Sequence, residues 1–441
     1  MRSNEPTGPD LEQLEQELTH IRCFDYVRLG HDRRRIELLP RNRIGGGRAR
    51  LEQTWHLLQQ DGRTVLALVG EEGITCTLQP HEDGVWRGRW LAHERMPVEL
   101  RPAQPAGPVA AVASAAGNEP IDAVYSWVDG SDPAFRQTLR YWAACEPGAH
   151  LPDQLAGYRY RDNDELRFSL RSLAVCAPWV RHIFLVTNGQ TPRWLAPAHP
   201  RLTVVPHEAI FPDRQHLPTF NSHAIELHLQ RIPGLSRRFL YLNDDVLLGR
   251  PVAIDDLVVP GGAQTVYLEP RPLPAHPHTG AVHDRAYAYT QGLLDEHLAP
   301  RPARQAIAHT PQMYDRELMA EVQRIWAGPL AETSAHRFRS PRDVALRILY
   351  YHYALQAEQH RPRHTAATVY SCSADYCFLR LTSHVAETVE MLDDLLFQKP
   401  RFICINDELD DSAEADIVRA CLRARLQEYY PQPCEFERGP A

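Results

Sequence analysis

Over the first hundred residues, hydrophobic and polar positions alternate in short segments after one stretch with helical character. Residues 10–21 predict a helix. The segments that follow are bounded by turn residues and lie at 35–39, 49–58, 64–69, 75–78, 85–91 and 96–100. Asp61-Gly62 and Asp83-Gly84 stand where hairpin turns belong. The pattern predicts a small antiparallel β domain with a leading helix over residues 1–105.

From residue 121 the pattern changes to buried strand, polar loop and helix. The stretch before it, 106–120, has neither period, is rich in proline, alanine and glycine, and is predicted to be a linker. Apolar strands are predicted at 122–128, 181–187, 238–242 and 402–405, and a helix at 164–175. Such alternation is typical of a mostly parallel sheet. Residues 121–441 therefore predict an α/β domain with a Rossmann-like sheet and flanking helices.

Composition narrows the classes of function. The chain has 441 residues, of which 43% are hydrophobic and 24% charged, enough to bury a large core. Its formal net charge of -8 argues against a nucleic-acid partner. No stretch is long and apolar enough to cross a bilayer, and the first residues do not resemble a secretion signal. We therefore expect a cytoplasmic protein with at most peripheral membrane association and reduced cysteines.

Polar clusters follow the predicted strands, at the edge where open α/β sheets bind ligands. Asp129-Gly130-Ser131-Asp132 follows the first strand, and Asn188-Gly189-Gln190 the second. Loops of this kind hold a nucleotide through backbone N–H groups and carboxylates, but the same residues also form ordinary turns.

Two later strands end in carboxylates. Asp244 and Asp245 are adjacent after the strand at 238–242, and such a pair suits Mg²⁺ or Mn²⁺ bridging a diphosphate. A solvated turn or a helix cap explains the pair equally well. Asn406 and Asp407 follow the last strand, where they could ligate or orient a substrate, or cap the next helix.

A histidine and an arginine stand before predicted helices. His309 precedes a helix predicted at 312–326, whose dipole favours the neutral imidazole that can accept a proton. Arg339 precedes a helix predicted at 341–353, where a guanidinium meets phosphate oxygens well. Most of the 22 histidines must be ordinary residues, and Arg339 is also consistent with a surface ion pair.

Taken together, these blocks resemble the Stealth family, which comprises bacterial capsular polysaccharide phosphotransferases and the catalytic part of the animal enzyme that attaches N-acetylglucosamine-1-phosphate to lysosomal glycoproteins. The resemblance spans 121–431 and runs through four ordered blocks at 121–133, 159–195, 309–353 and 404–407. The second block contains Arg161-Asp162-Asn163-Asp164-Glu165. Tyr241-Leu242-Asn243-Asp244-Asp245 also matches.

The resemblance implies a reaction. A hexose-1-phosphate or N-acetylhexosamine-1-phosphate would move from a UDP-sugar to a saccharide or polysaccharide hydroxyl, releasing UMP and forming a phosphodiester. We predict His309 as the base, Arg339 as the group that stabilises phosphoryl charge, and Mg²⁺ or Mn²⁺ on Asp245 with Asp244 or Asp407. The residues predicted to bind the donor are Asp129, Gly130, Asp132, Asn188, Gly189, Arg161, Asp164 and Asn406.

Several alternatives stay open at this stage. His309 could attack phosphorus first and form a phosphohistidine. The chain could be a metal-dependent glycosyltransferase releasing UDP, or a carbohydrate-binding protein with an inactive catalytic domain. Trp86 and Trp90 suggest that the N-terminal β domain positions an acceptor, and a purely structural role is the alternative. The sugar, the linkage and the oligomeric state are not specified by the sequence.

Overall fold

A computed structural model of the chain forms two compact units. The first comprises Met1–Ala111, Cys372–Cys377 and Asp394–Arg401, and the second the remainder. The structure describes residues 11–21, 23–28, 32–39, 42–44, 52–60, 62–70, 73–91, 96–103, 119–146, 154–258, 264–276, 278–298, 300–301, 304–357, 366–370 and 376–438. Most of the predicted linker lies outside these residues, so the domain boundaries at 105 and 120 stay a prediction. Among the described helices, none is long and apolar enough to cross a bilayer.

The first unit contains a closed antiparallel barrel preceded by a helix. Its elements are α1 Leu11–Ile21, β1 Cys23–Arg28, β2 Asp32–Leu39, β3 Arg43–Ile44, β4 Thr54–Gln60, β5 Arg63–Gly70, β6 Gly73–Pro80, β7 Trp86–Trp90 and β8 Pro97–Pro102. Each strand pairs with the next, and β8 closes on β1. Trp55, Trp86 and Trp90 are buried in the barrel core. Rings in the core cannot stack on a sugar, so the positions of these tryptophans favour a purely structural role for them.

The second unit is α/β, as expected. Its strands are β9 Asp122–Ser126, β10 Ile183–Thr187, β11 Leu202–Pro206, β12 Arg238–Asn243, β13 Val246–Leu248, β14 Gln264–Pro272, β15 Gln305–Ile307, β16 Gln312–Asp315, β17 Ala366–Tyr370, β18 Tyr376–Leu381 and β19 Phe402–Asp407. Its helices are α2 Pro133–Cys145, α3 Glu165–Cys176, α4 Ser222–Glu226, α5 Val282–His297, α6 Arg316–Ile325, α7 Ala327–Ala335, α8 Leu346–Ala357, α9 Val385–Gln398 and α10 Ala413–Tyr429. Residues 376–377 of β18 and 394–398 of α9 belong to the first unit.

The central sheet has the order β11-β10-β9-β12-β16. The first three pairings are parallel, and β16 is antiparallel to β12. The chain builds outward from β9 through β10 to β11, then returns to add β12 on the other side of β9. Ligands of open α/β sheets bind where the strand order reverses in this way. The carboxyl ends of β9 and β12 therefore mark the place to look for a site.

Two predicted helices begin later than expected. Residues 312–315 form the short strand β16, and the helix α6 starts only at Arg316. All four residues of β16 are buried, and their pairing with β12 decides the conformation. The second helix, α8, starts at Leu346 rather than at Pro341. Residues 341–345 instead continue the loop that carries Arg339.

Candidate functional site

Four groups from different parts of the chain meet at the carboxyl end of β12. His309 Nε2 lies 2.9 Å from Asn243 Oδ1, and His309 Nδ1 lies 3.4 Å from Cys404 Sγ. The Cys404 thiol also donates to Asp245 Oδ2 across 3.5 Å. The β12 strand places Asn243, the turn after it places Asp245, and β19 places Cys404. The structure thus brings His309 and Asp245, predicted from sequence, into one cluster.

The hydrogen bond to Asn243 assigns the proton on the imidazole. Asn243 Nδ2 donates to Tyr241 Oη across 3.1 Å, so the amide oxygen faces His309. Because that oxygen can only accept, His309 carries its proton on Nε2 and presents a lone pair at Nδ1. Tyr241 Oη is in turn 2.8 Å from Ser126 Oγ on the adjacent strand β9. The imidazole is therefore held by a hydrogen-bonded chain anchored in the central sheet.

His309 is neutral, but the predicted cause of its neutrality was wrong. Burial lowers its pKa well below the ordinary value, and the charges of Arg347 and Arg339 lower it further. The sequence had suggested a helix dipole, yet the chain after His309 enters a strand and not a helix. Both guanidinium groups lie near enough to influence His309 electrostatically. Arg339 thus shares the neighbourhood of His309 and Asp245.

Asp244 and Asp245 are adjacent, half-buried carboxyl groups whose charges act on one another. Burial raises the pKa of Asp245 to about 6, against the hydrogen bond from Cys404 and the charges of Arg347 and Arg339. Burial, and then the charge of Asp245, raises the pKa of Asp244 well above its ordinary value. Asp245 Oδ1 is buried and accepts no hydrogen bond from any described residue. A divalent cation would offset this repulsion and coordinate that oxygen, so the pair fits a metal ion.

Two further acids with raised pKa values, Asp162 and Glu165, stand at the start of α3. Burial raises the pKa of Glu165 to about 8, and the charge of Asp162 adds to the effect. Burial likewise raises the pKa of Asp162 to about 6, with Asp164 as the next contribution. Asn163 donates from its backbone N–H and its side-chain amide to the two Glu165 oxygens, at 2.5 and 2.7 Å. The charges of Glu165 and Asp162 also act on Asp244.

The loop carrying Arg339 is fastened from both sides. Arg339 Nη2 donates to Ser222 Oγ across 2.9 Å, and Gln154 Nε2 donates to the Arg339 carbonyl. Buried Asp343 accepts from the backbone N–H of Ser340 and from the side chain of Asn221, both at 2.8 Å. These bonds hold the half-buried guanidinium in place, and among the described residues it forms no ion pair, unlike the surface ion pair considered for it.

The residues of the first predicted donor-binding loop, 129–132, form hydrogen bonds that fix the loop and the start of α2. Asp132 caps α2 by accepting from the backbone N–H groups of Ala134 and Phe135, and these bonds lower its pKa. Gly130 donates its N–H to the Tyr160 carbonyl at 2.7 Å. A Cβ at Gly130 would lie only 2.2 Å from that oxygen, so no other residue fits. Asp129 Oδ1 accepts from the backbone N–H and hydroxyl of Ser131.

The second predicted loop is tied to the first. Gln190 accepts the backbone N–H of Asp129 and donates to the Asp129 carbonyl, both at 3.0 Å. Asn188 accepts the Gln190 backbone N–H at 3.3 Å, and Gly189 has a φ of +99°, which favours glycine. The structure therefore joins the loops after β9 and β10 at the rim of the sheet. Their role in donor binding stays a prediction.

Of the remaining predicted residues, Arg161 contacts Asp407, whereas Asp164 and Asn406 have other surroundings. Arg161 donates to Asp407 at 3.1 Å and also pairs with Asp411 at 3.0 Å. Asn163 Nδ2 donates to Asp407 Oδ2 at 3.0 Å. Asp164, with a φ of 71°, precedes the first residue of α3. Asn406 is half-buried and donates to Glu408 at 3.1 Å.

Sequence analysis missed three members of this site. Cys404 stands in an apolar strand, where it has the pattern of a packing thiol. Arg347 lies inside α8 and within the block 309–353, but no polar cluster distinguishes it there, and only the fold brings it near His309. Asn243 was recognised as part of a polar cluster, but its bond to His309 spans 66 residues and has no local signal.

Four regions of the chain match the conserved regions described for Stealth proteins. Conserved region 1 matches residues 119–144, region 2 matches 159–266, region 3 matches 308–356 and region 4 matches 393–441. His309 lies in region 3, and Asp245 in region 2.

Curated proteins with similar sequences are named exopolysaccharide phosphotransferases. One from Streptomyces coelicolor is 41% identical over 322 residues, which cover 72% of this chain and 52% of that protein. CpsY of Mycobacterium tuberculosis is 34% identical over 322 residues, covering 72% of this chain and 58% of CpsY. The match thus spans about half the length of these relatives.

Solved structures with some similarity include two glycosyltransferases. The galactosyltransferase LgtC, in complex with donor and acceptor sugar analogs, gives a TM-score of 0.34 at 9% identity, over 69% of this chain and 96% of LgtC. The bifunctional enzyme WbbM gives a TM-score of 0.34 at 10% identity, over 74% of this chain and 53% of WbbM. TM-scores of this size do not establish a common fold.

Proposed function

Because the chain belongs to the Stealth family, whose four conserved regions it carries in order, we propose that it is a sugar-1-phosphate transferase. The donor is a UDP-hexose or UDP-N-acetylhexosamine, and the acceptor is a saccharide or polysaccharide hydroxyl. The reaction releases UMP and leaves a phosphodiester. The observation that carries the proposal is the neutral imidazole of His309, beside a carboxylate pair and within electrostatic reach of two arginines.

His309 is the base in this proposal. The acceptor oxygen attacks the β-phosphorus of the donor, and the bond from that phosphorus to the bridging oxygen breaks. His309 Nδ1 takes the acceptor proton, and UMP leaves with the bridging oxygen and its electron pair. The lowered pKa keeps Nδ1 unprotonated at neutral pH, and the bond to Asn243 keeps the second nitrogen protonated.

Arg339 and Arg347 supply the positive charge in this proposal. Phosphoryl transfer spreads negative charge over the equatorial oxygens, and fixed guanidinium groups stabilise it best. Arg339 is held by Ser222, and Arg347 donates to Tyr287 Oη at 2.9 Å. Both sit close enough to His309 to lower its pKa, so a phosphoryl group beside His309 would feel both charges.

Asp244 and Asp245 are the residues that would hold Mg²⁺ or Mn²⁺. When bound, the ion would offset the negative charge of the diphosphate. The oxygens of Asp407 accept from Arg161, Asn163 and the Leu409 N–H, so we assign Asp407 to holding the loops together instead. The linked loops at Asp129 and Gln190 follow strand ends of the kind where open α/β sheets bind ligands, and we assign the nucleotide to them.

The decisive experiment is to incubate the protein with a panel of UDP-sugars, Mg²⁺ and a saccharide acceptor, and to separate the released nucleotides. We expect UMP. Release of UDP would instead identify a glycosyltransferase, and no nucleotide release with any donor would favour a binding protein. Inversion of configuration at phosphorus supports direct attack, whereas a trapped phospho-His309 would establish a two-step transfer.

A matched pair of variants tests the base. We expect His309→Ala to lower turnover about 10²-fold or more. His182→Ala is the control, because His182 precedes β10 at the opposite end of the sheet, where its Nε2 lies 2.8 Å from Thr203 Oγ1 at the surface. Near-normal turnover in His309→Ala would remove His309 as the base.

A further inference from the structure

Three different ligand atoms converge on one point beside β12. Cys404 Sγ lies 3.4 Å from His309 Nδ1 and 3.5 Å from Asp245 Oδ2. One ligand atom from each of these residues lies within 4.8 Å of the other two. In a tetrahedral zinc site, ligand atoms at usual bond lengths are spaced by roughly 3.3 to 3.6 Å. The two sulfur distances already have the spacing of tetrahedral edges.

The surroundings of these atoms also suit a metal ion. Asp245 Oδ1 is buried and accepts no hydrogen bond from any described residue, so the carboxylate has capacity for a cation. The N–H at the other ring nitrogen of His309, Nε2, donates to Asn243 Oδ1. Metal-binding histidines usually have such a hydrogen-bond partner on the nitrogen that does not bind the metal. The backbone fixes the two remaining ligands, because the Ile405 N–H donates to the Asp245 carbonyl at 2.9 Å in the register of β13 and β19.

We propose that Asp245, His309 and Cys404 form a site for a borderline d-block cation such as Zn²⁺, and that its occupancy inhibits the transferase. A thiolate ligand excludes Mg²⁺ and Mn²⁺ in favour of softer ions, so this site is distinct in selectivity from the carboxylate pair of Asp244 and Asp245. As zinc binds, the Cys404 S–H bond breaks, the proton passes to solvent and a Zn–S bond forms.

Inhibition follows from the atoms that zinc would occupy, and this part rests on the proposed function. Zinc on Nδ1 would take up the lone pair that accepts the acceptor proton. It would also use an oxygen of Asp245, which is a proposed ligand of the magnesium ion. The enzyme would then lack its base while its fold stays intact, so inhibition should be reversed by a chelator.

Cobalt spectroscopy tests the site without any activity measurement. Co²⁺ is added to the 441-residue protein with reduced cysteines, and we expect thiolate-to-cobalt charge-transfer absorption together with intense visible bands of tetrahedral cobalt. Cys404→Ser should lose the charge-transfer absorption. Cys145→Ser should keep it, because Cys145 is exposed and outside the cluster. Zn²⁺ should displace the cobalt spectrum. Absence of the absorption, or its survival in Cys404→Ser, would overturn the proposed site.

A second measurement tests inhibition. UMP release is compared with and without Zn²⁺ at saturating Mg²⁺, as a ratio within each variant. We expect at least a tenfold loss for the unaltered protein, and a loss of less than twofold for Cys404→Ser. Equal inhibition of both would overturn the inhibitory role. Failure of the protein to release UMP from any donor would contradict the proposed function, while the cobalt spectrum would still decide the metal site.

Discussion

His309 Nε2 donates to Asn243 Oδ1 across 2.9 Å, and this bond decides which nitrogen of the imidazole can act as a base. Asn243 ends the strand β12, and its amide is oriented by Tyr241 in the same strand. A hydrogen-bond partner on one ring nitrogen fixes the tautomer and the orientation of a histidine. The consecutive residues Asn243, Asp244 and Asp245 would therefore serve both the proposed base and the proposed metal ion.

Substitution of Asn243 tests the orienting bond. We expect Asn243→Ala to lower kcat about 10- to 100-fold, because His309 loses its tautomer and its position. Asn243→Asp restores an acceptor and should recover part of kcat. The added carboxylate should also raise the pKa of His309, so the acid limb of the pH–rate profile moves to higher pH. An unchanged acid limb in Asn243→Asp, with full activity in Asn243→Ala, would contradict this role.

Arg339 and Arg347 should behave alike when substituted. We expect either change to alanine to lower kcat/KM about 10²- to 10³-fold, because each removes a fixed charge from the transition state. Arg339→Lys should recover only part of the loss, since lysine lacks the planar fork. Arg342→Ala is the control, because Arg342 is exposed and pairs with Glu332 at 2.8 Å. A near-normal Arg347→Ala variant would leave Arg339 as the only proposed phosphate-binding arginine of the two.

Hydrophobic patterns in the sequence were sufficient to predict the elements whose buried residues follow a regular period along the chain. The predicted strand at 238–242 and helix at 164–175 correspond to β12 and α3 within a residue or so at each end. The prediction failed at 312–315, where helical spacing of apolar residues was offset by pairing with β12. A four-residue strand buried on both faces has no alternating pattern, so periodicity cannot distinguish it from a buried helix.

The residues of the candidate site likewise include some that the sequence indicated and some that it did not. Polar residues after strands indicated Asp245, because the end of a parallel strand is a general ligand position. Cys404 carried no such signal, since its contacts with Asp245 and His309 span 159 and 95 residues. Asp407, predicted as a metal ligand, is held by Arg161, which lies 246 residues away. Motifs therefore locate the site, while the roles of its residues depend on long-range contacts.

The raised pKa of Glu165 predicts that the folded protein loses stability as the pH rises. Its pKa is about 8 in the folded protein, because burial and the charge of Asp162 disfavour the carboxylate, against an ordinary value of 4.5. A raised pKa means that the stabilising contribution is complete below pH 4.5 and is lost as pH rises through 8. We expect the free energy of unfolding to fall relative to Glu165→Gln over this window, by up to about 1.4 kcal/mol per pH unit.

Denaturant titrations at pH 5, 6.5 and 8 with a chelator present would measure this difference. The chelator matters because a bound cation would stabilise the carboxylate. Glu146→Gln is a suitable control, because Glu146 is exposed and only pairs with Arg337 at 3.2 Å. If the free energies of unfolding of the unaltered protein and Glu165→Gln run parallel across the three pH values, Glu165 is not protonated in the folded state.

The lowered pKa of Glu437 predicts the opposite effect, a loss of stability at low pH. Its carboxylate accepts from Arg171 at 2.6 and 2.9 Å and from Arg167 at 2.6 Å, and so fastens the last described residues to α3. Burial alone would raise the pKa of Glu437, but the two arginines lower it to about 2. Its stabilising contribution is therefore complete above the ordinary value of 4.5 and is lost as pH falls through 2.

We expect Glu437→Gln to lower the free energy of unfolding at pH 7 by about 2 to 4 kcal/mol, because Arg171 is left buried without its carboxylate. The difference from the unaltered protein should shrink as pH falls from 4.5 towards 2. Glu435→Gln should cost less than 1 kcal/mol, because Glu435 is exposed and its bond to Arg201 is a surface ion pair. Equal losses in the two variants would mean that the arginine clamp on Glu437 adds nothing to stability.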